Sequence, residues 1–308
     1  MNTTNLNTAS ARNNVFSIPT LKDVSVLVSV TGGKPKMTQK DKAATEIAED
    51  GMGAHNAGAF VKRLWPKHLV QPVITAELAV RNTVKDYGIP YARNLTLVAN
   101  SLRLKLDNAL KAPLKQHELA VDALFMNYGQ VLAVAQGQLA SMFDASVYPD
   151  ASELKSQFKI QVIFLPAPDI ATLAIDEFGK TLQQQMEVYT VNMLKEGTRQ
   201  SVEKMADTIN NLADKLRRKI DMDTASDPNI NKRTAPRFHD SLTQELEHLF
   251  DVLPELNFSN DPVLDSIVRD AKMKLRVSTE VLKNGTISVK QQILNDAESI
   301  LARMQGMY

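Results

Sequence analysis

The sequence predicts a mainly α-helical protein with a small β-sheet. This is an α+β fold in which a long helical hairpin, or coiled-coil-like pair, accompanies a sheet of two or slightly more strands. Three observations predict it. From Ile170 to Ile220 almost nothing breaks a helix apart from Gly179 and Gly197, and apolar residues recur every three or four positions. A second helical run extends from about Leu97 to Met142. Only two segments show strand-like alternation, one around Val26 and one around Val162.

In chain order, residues 1–20 are rich in Asn, Thr and Ser and lack periodic apolar positions, so they are expected to form a flexible N-terminal arm. This stretch has neither the basic start nor the apolar centre of a secretion signal. An N-terminal α+β region is then expected over 21–168. In it, Val24, Val26, Val28 and Val30 alternate on one face of a strand that Thr31-Gly32-Gly33 ends. Thr38 is suited to cap a following helix that closes at Gly51-Met52-Gly53. A further helix is expected from about Pro72 to Lys85, ended by Gly88-Ile89-Pro90. Leu102, Leu106 and Leu110 step by four toward Pro113, which either kinks one helix or opens a second; two helices are the preferred reading. Phe158 to Leu165 forms the second strand and the natural partner of the first, and Pro166 and Pro168 end it.

Beyond it, residues 169–221 read as a single long helix with Val202, Met205, Ile209, Leu212, Leu216 and Ile220 on one stripe. A helix of that length cannot be covered by one compact core. The stripe is therefore expected to pair with the 97–142 region or with a second subunit. Residues 222–237 read as a polar linker, and 238–308 as C-terminal helices. There Ser241 with Gln244, and Ser288 with Gln291, look like capping boxes, and Asp261-Pro262 is a cap followed by a first-turn proline.

Composition narrows the function classes. Thirty-six Lys and Arg against thirty-five Asp and Glu give a net charge of +1, which removes the simplest electrostatic case for a nucleic-acid binder. The absence of cysteine excludes disulfides, thiolate metal sites and a cysteine nucleophile, and it fits a cytoplasmic protein. No apolar run approaches the length of a membrane span. Glu245 and His248 share a helix face, yet a di-iron bundle needs two such pairs and further carboxylates. Gly32-Gly33-Lys34-Pro35 follows a strand but lacks the spacing and hydroxyl of a nucleotide loop, and Pro35 removes an amide. No Gly-x-Ser-x-Gly elbow occurs. The sequence thus points to no catalytic residue, metal or cofactor. One local signal favours nucleic acid: Lys62, Arg63 and Lys67 surround Trp65, the single Trp, as in a basic groove with a stacking platform.

His55-Asn56-Ala57-Gly58 leads into Lys62-Arg63-Leu64. Farther along come Asn127-Tyr128, Met142-Phe143, Tyr148-Pro149, and Phe158 running through to Leu165-Pro166-Ala167-Pro168-Asp169. In this order, over roughly residues 24–260, the chain resembles an uncharacterised protein family of bacteriophages and conjugative elements. That family shows Trp after a Pro where this chain has Tyr91. The resemblance implies a mobile-element protein in the host bacterial cytoplasm with an AAA+ ATPase of the MoxR type and a von Willebrand factor A protein as neighbours. It supplies no site residues. Two expectations follow. The first is a non-enzymatic helical interaction protein, docking through the Val202–Ile220 stripe onto such an assembly or onto copies of itself. The alternative is a single-stranded DNA-binding accessory factor in phage replication or recombination.

Overall fold

A computed structural model describes residues 21–170, 177–224 and 236–306. The expected arm, most of the expected linker and the first turns of the expected long helix lie outside the described residues. Among the described residues the protein is mainly helical, with 71% of them in helices, and it carries a small antiparallel sheet of four strands and a second of two. It divides into two compact units, one spanning Val26–Pro166 and the other formed by the described residues of 1–25 and 167–308.

Helix α1 (Leu21–Val24) is a single turn that passes directly into β1 (Ser25–Gly32). Val24 therefore closes a helical turn and is exposed, and the strand starts one residue later than the alternation suggests. β2 (Thr38–Lys40) and β3 (Val61–Arg63) form a two-stranded ribbon joined through α2 (Lys42–Met52). Asp41, not Thr38, caps α2, its carboxylate accepting from the Ala44 amide at 3.1 Å. Gly53, at φ +62°, closes it in the left-handed conformation that glycine adopts without strain.

α3 (Lys67–Asp86) begins five residues before Pro72, which sits inside it. β4 (Ile89–Ala92) and β5 (Leu95–Ala99) form a hairpin with a register shift between Pro90 and Ala92. α4 (Arg103–Met126) runs straight through Pro113, and the chain breaks instead at Asn127, before α5 (Tyr128–Leu139). After α6 (Ala151–Gln157), β6 (Ile160–Pro166) pairs antiparallel with β1, from Val26 opposite Pro166 to Gly32 opposite Ile160. The strand order is β4-β5-β1-β6.

α3 and α4 pack together, and Arg81 of α3 donates to the Val30 carbonyl of β1 at 2.8 Å. The core of this unit gathers Leu64, Trp65, Val70, Val73, Val121 and Tyr128 with Leu154 and Phe158.

In the other unit, α7 (Glu177–Thr224) is one helix of 48 residues, about 72 Å long at about 1.5 Å per residue. α8 (Asp240–Leu256), α9 (Pro262–Leu275), α10 (Thr279–Asn284) and α11 (Ile287–Gln305) follow. Asp261 caps α9 as its sequence suggests, accepting from Val263 with Pro262 in the first turn. The other two caps shift: α8 starts after His239 without a side-chain cap, and Thr286 rather than Ser288 caps α11. α8 and α11 pack along α7, and α9 packs on both.

Candidate functional site

The six residues of the expected docking stripe lie in the interior. Val202, Met205, Ile209, Leu212, Leu216 and Ile220 are all buried. They share one apolar cluster with Leu246 and Phe250 of α8, Ile267 of α9, and Ile293 and Ile300 of α11. Among the described residues the greasy seam is thus covered by the chain's own C-terminal helices. The reason is geometric. Each C-terminal helix has its own apolar stripe, and the shortest route to burying those stripes is to fold back onto α7.

The basic segment divides in two. Trp65 is 2% exposed; its indole N–H donates to the Lys36 carbonyl at 3.1 Å. Its ring stacks on Tyr128 at 6.0 Å and 27°, with Tyr148 and the edge of Phe158 at 5.8 and 5.9 Å. No face of the ring is open to a base, so Trp65 is a core anchor, not a stacking platform. The tyrosines bracket it: Tyr148 donates to the Leu64 carbonyl at 2.5 Å and Tyr128 to that of Pro149 at 2.6 Å. Burial pushes both phenols up from their ordinary pKa.

Lys62 turns inward, its ammonium 3.3 Å from Asp41 and donating to the Met142 carbonyl at 2.9 Å. The Ala44 amide, helped by Lys62, holds the Asp41 carboxyl below its ordinary range against the opposing effect of burial.

Period-two alternation explains the split. In the β2–β3 ribbon Gln39 pairs with Lys62 and both are partly covered. Thr38, Lys40, Val61 and Arg63 lie on the open face. Arg63 and Lys67 are therefore exposed, as are Lys34, Lys36 and Lys42 nearby. Trp65 is enclosed and Lys62 is engaged within the fold.

The connecting helix α2 has an unusual property: it buries no side chain. Ile47 and Met52 are 73% and 81% exposed, and Phe60 and Val61, where the chain returns to β3, are exposed as well. Local polar bonds hold it in place. Thr45 accepts from the Phe60 amide at 2.9 Å, and Glu49 accepts from that of Ala57 at 3.2 Å.

The glycine-rich turn after β1 is structural. The Gly33 amide donates to the Lys159 carbonyl at 2.8 Å, and a side chain at Gly33 would press on the Gln157 carbonyl. Glu245 and His248 lie on α8, and among the described residues no set of three or more His, Asp or Glu converges as a metal cage.

A site that no sequence motif marks lies beside α4. A cavity of about 390 Å³ opens between α4, α6 and the start of β6, bordered by Leu114, His117, Val121, Phe158 and Ile160. Its residues come from two separate stretches of the chain, 114–122 and 155–161, so no local spacing could have disclosed it.

Compared with known proteins, the chain matches no family model, no curated protein and no solved structure. Among the described residues, no helix is long and apolar enough to cross a membrane.

Proposed function

We propose that this chain is a non-enzymatic, mostly helical interaction protein of a phage or other mobile element, acting in the cytoplasm of the bacterial host. It docks through the β2–α2–β3 module. The observation that carries this reading is α2, a helix capped at both ends none of whose side chains is buried. Eleven residues of isolated helix are marginal in water, and large apolar side chains left in the open invite a partner. Lys34, Lys36, Lys40, Arg63 and Lys67 are exposed in the same stretch of chain as Ile47, Met52, Phe60 and Val61. The complementary occupant is a folded protein whose apolar groove is rimmed by carboxylates. The resemblance to mobile-element proteins supports an AAA+ ATPase–von Willebrand factor A assembly as that partner.

The test mixes the full chain with the purified ATPase and von Willebrand A proteins encoded by the same element and follows co-elution. The expected result is a complex weakened at raised salt and weakened about ten-fold or more by Ile47→Glu with Met52→Glu, at unchanged helix content. Equal capture by wild type and variant would remove the module from the proposal, and self-association through the same residues would replace the ATPase by a second copy.

One observation favours single-stranded nucleic acid as a second reading. Lys40 and Arg63 share the open face of the ribbon, and the Phe60 ring beside it is exposed as Trp65 is not. Oligonucleotide binding on this surface would fall with salt, and Arg63→Ala would lower that salt slope by about one.

A further inference from the structure

The buried face of α4 reads Leu106, Leu110, His117, Val121, Leu124. His117 thus occupies a core position where the helical period calls for an apolar residue, and it is 5% exposed. A polar ring so placed costs stability unless something bonds it. Among the described residues no hydrogen bond reaches its imidazole, although Glu77 of α3 is near enough to favour its charged form. Burial outweighs Glu77 and lowers the pKa, which leaves a neutral ring with one N–H donor and one bare nitrogen. That ring borders the cavity of about 390 Å³.

The other walls suggest what fits there. Leu114, Val121, Phe158 and Ile160 supply an apolar lining. Both carboxylates at the rim are committed: Asp122 to Lys155 at 2.6 Å, and Glu118 to Lys115 at 2.7 Å. Lys155 also lies 5.1 Å over the Phe125 ring. Lys159 has no ion pair among the described residues, so the uncommitted charge at the rim is positive. An apolar lining, an imidazole at the wall with no protein hydrogen bond among the described residues, and a lysine without an ion pair at the mouth together describe a small-molecule site.

We propose that this cavity binds a small organic anion, an apolar body bearing a carboxylate. The body lies among Leu114, Val121, Phe158 and Ile160, Lys159 meets the charge, and His117 donates its N–H to the polar end. The assignment is independent of the β2–α2–β3 docking surface.

The experiment follows the His117 ring C–H resonance of the full chain by NMR while hexanoate is added, with hexanamide as the uncharged control. Hexanoate should shift the signal saturably, and hexanamide should bind about ten-fold more weakly or worse. Lys159→Gln, at an exposed position that leaves the core intact, should weaken hexanoate by a similar factor. An unmoved resonance would overturn the site. Equal binding of acid and amide, or an unchanged affinity in Lys159→Gln, would overturn its anion selectivity. His117→Gln, checked by its spectrum for native folding, should lose binding of both probes; retained binding there would place them elsewhere.

Discussion

Lys290 is 3% exposed, one of few charged side chains driven so far into the fold. It sits near the start of α11 and donates to Asp223 at 2.7 Å, whose other carboxylate oxygen accepts from Lys219 at 2.6 Å. Burial opposes ionisation of Asp223, but the two lysine hydrogen bonds outweigh it and hold the carboxyl below its ordinary 3.8. A carboxyl depressed by folding stabilises the native state fully above its unfolded pKa, and that contribution is lost as the pH falls through the folded value. Stability should therefore decline in acid below about pH 4, and Asp223→Asn should flatten that part of the curve. At neutral pH the same variant leaves Lys290 without its charge partner. It should cost about 2–3 kcal/mol in denaturant unfolding, less than for a sealed pair because Asp223 is a quarter exposed. A variant as stable as wild type at pH 7 would show that Lys290 finds water instead. Glu196 shows the contrast. Hydrogen bonds from Arg199 and Gln200 lower its pKa to about 2, yet the group is open to solvent and its pairing is worth little to the fold.

At the scale of elements, the long helix and the β1–β6 pair were legible because their periodicity is sustained. One is a stripe of period three to four over many turns, the other a run of β-branched residues. The β4–β5 hairpin was not. Its strands are four and five residues long, Pro90 interrupts the first, and Gly88-Ile89-Pro90 reads equally as the end of α3. Gly88 marks where the structure differs: it packs directly on β5, and a Cβ there would overlap the Leu97 carbonyl oxygen and press on Thr96 and Val98. Gly88→Ala should therefore force the end of α3 away from the hairpin and destabilise by about 1–3 kcal/mol, read from chemical unfolding. An unchanged midpoint would mean that the hairpin yields freely. The caps failed in a related way. Thr38, Ser241 and Ser288 are good cap residues two or three positions from the true caps, and tertiary context chose Asp41, His239 and Thr286. The His117 cavity is illegible for another reason. Its walls come from α4, α6 and β6, and a lone histidine on an apolar face carries no spacing to read.

At the scale of the whole molecule, two large apolar clusters among the described residues share no residue. One is built from 64–158, around Trp65, Tyr128 and Phe158. The other is built from 202–304, around Met205, Ile209 and Phe250. Each has its own large, fully buried side chains, which is the condition for a unit that unfolds on its own. The sequence led to the opposite emphasis, treating the Val202–Ile220 stripe as a surface, because periodicity shows that a face must be covered and not which segment covers it. Heating should then give two transitions that separate mutations resolve. Ile209→Ala removes buried methyl groups from the C-terminal cluster and should cost about 2–5 kcal/mol there, lowering one melting temperature by roughly 3–5 °C per kcal/mol and leaving the other in place. Trp65→Ala, at about 3–5 kcal/mol, should do the converse. If both variants shift a single common transition, the two clusters unfold as one cooperative body. The proposed docking module at α2 and the bundle around α7 would then be energetically coupled, and a partner bound at Ile47 would stabilise the C-terminal helices as well.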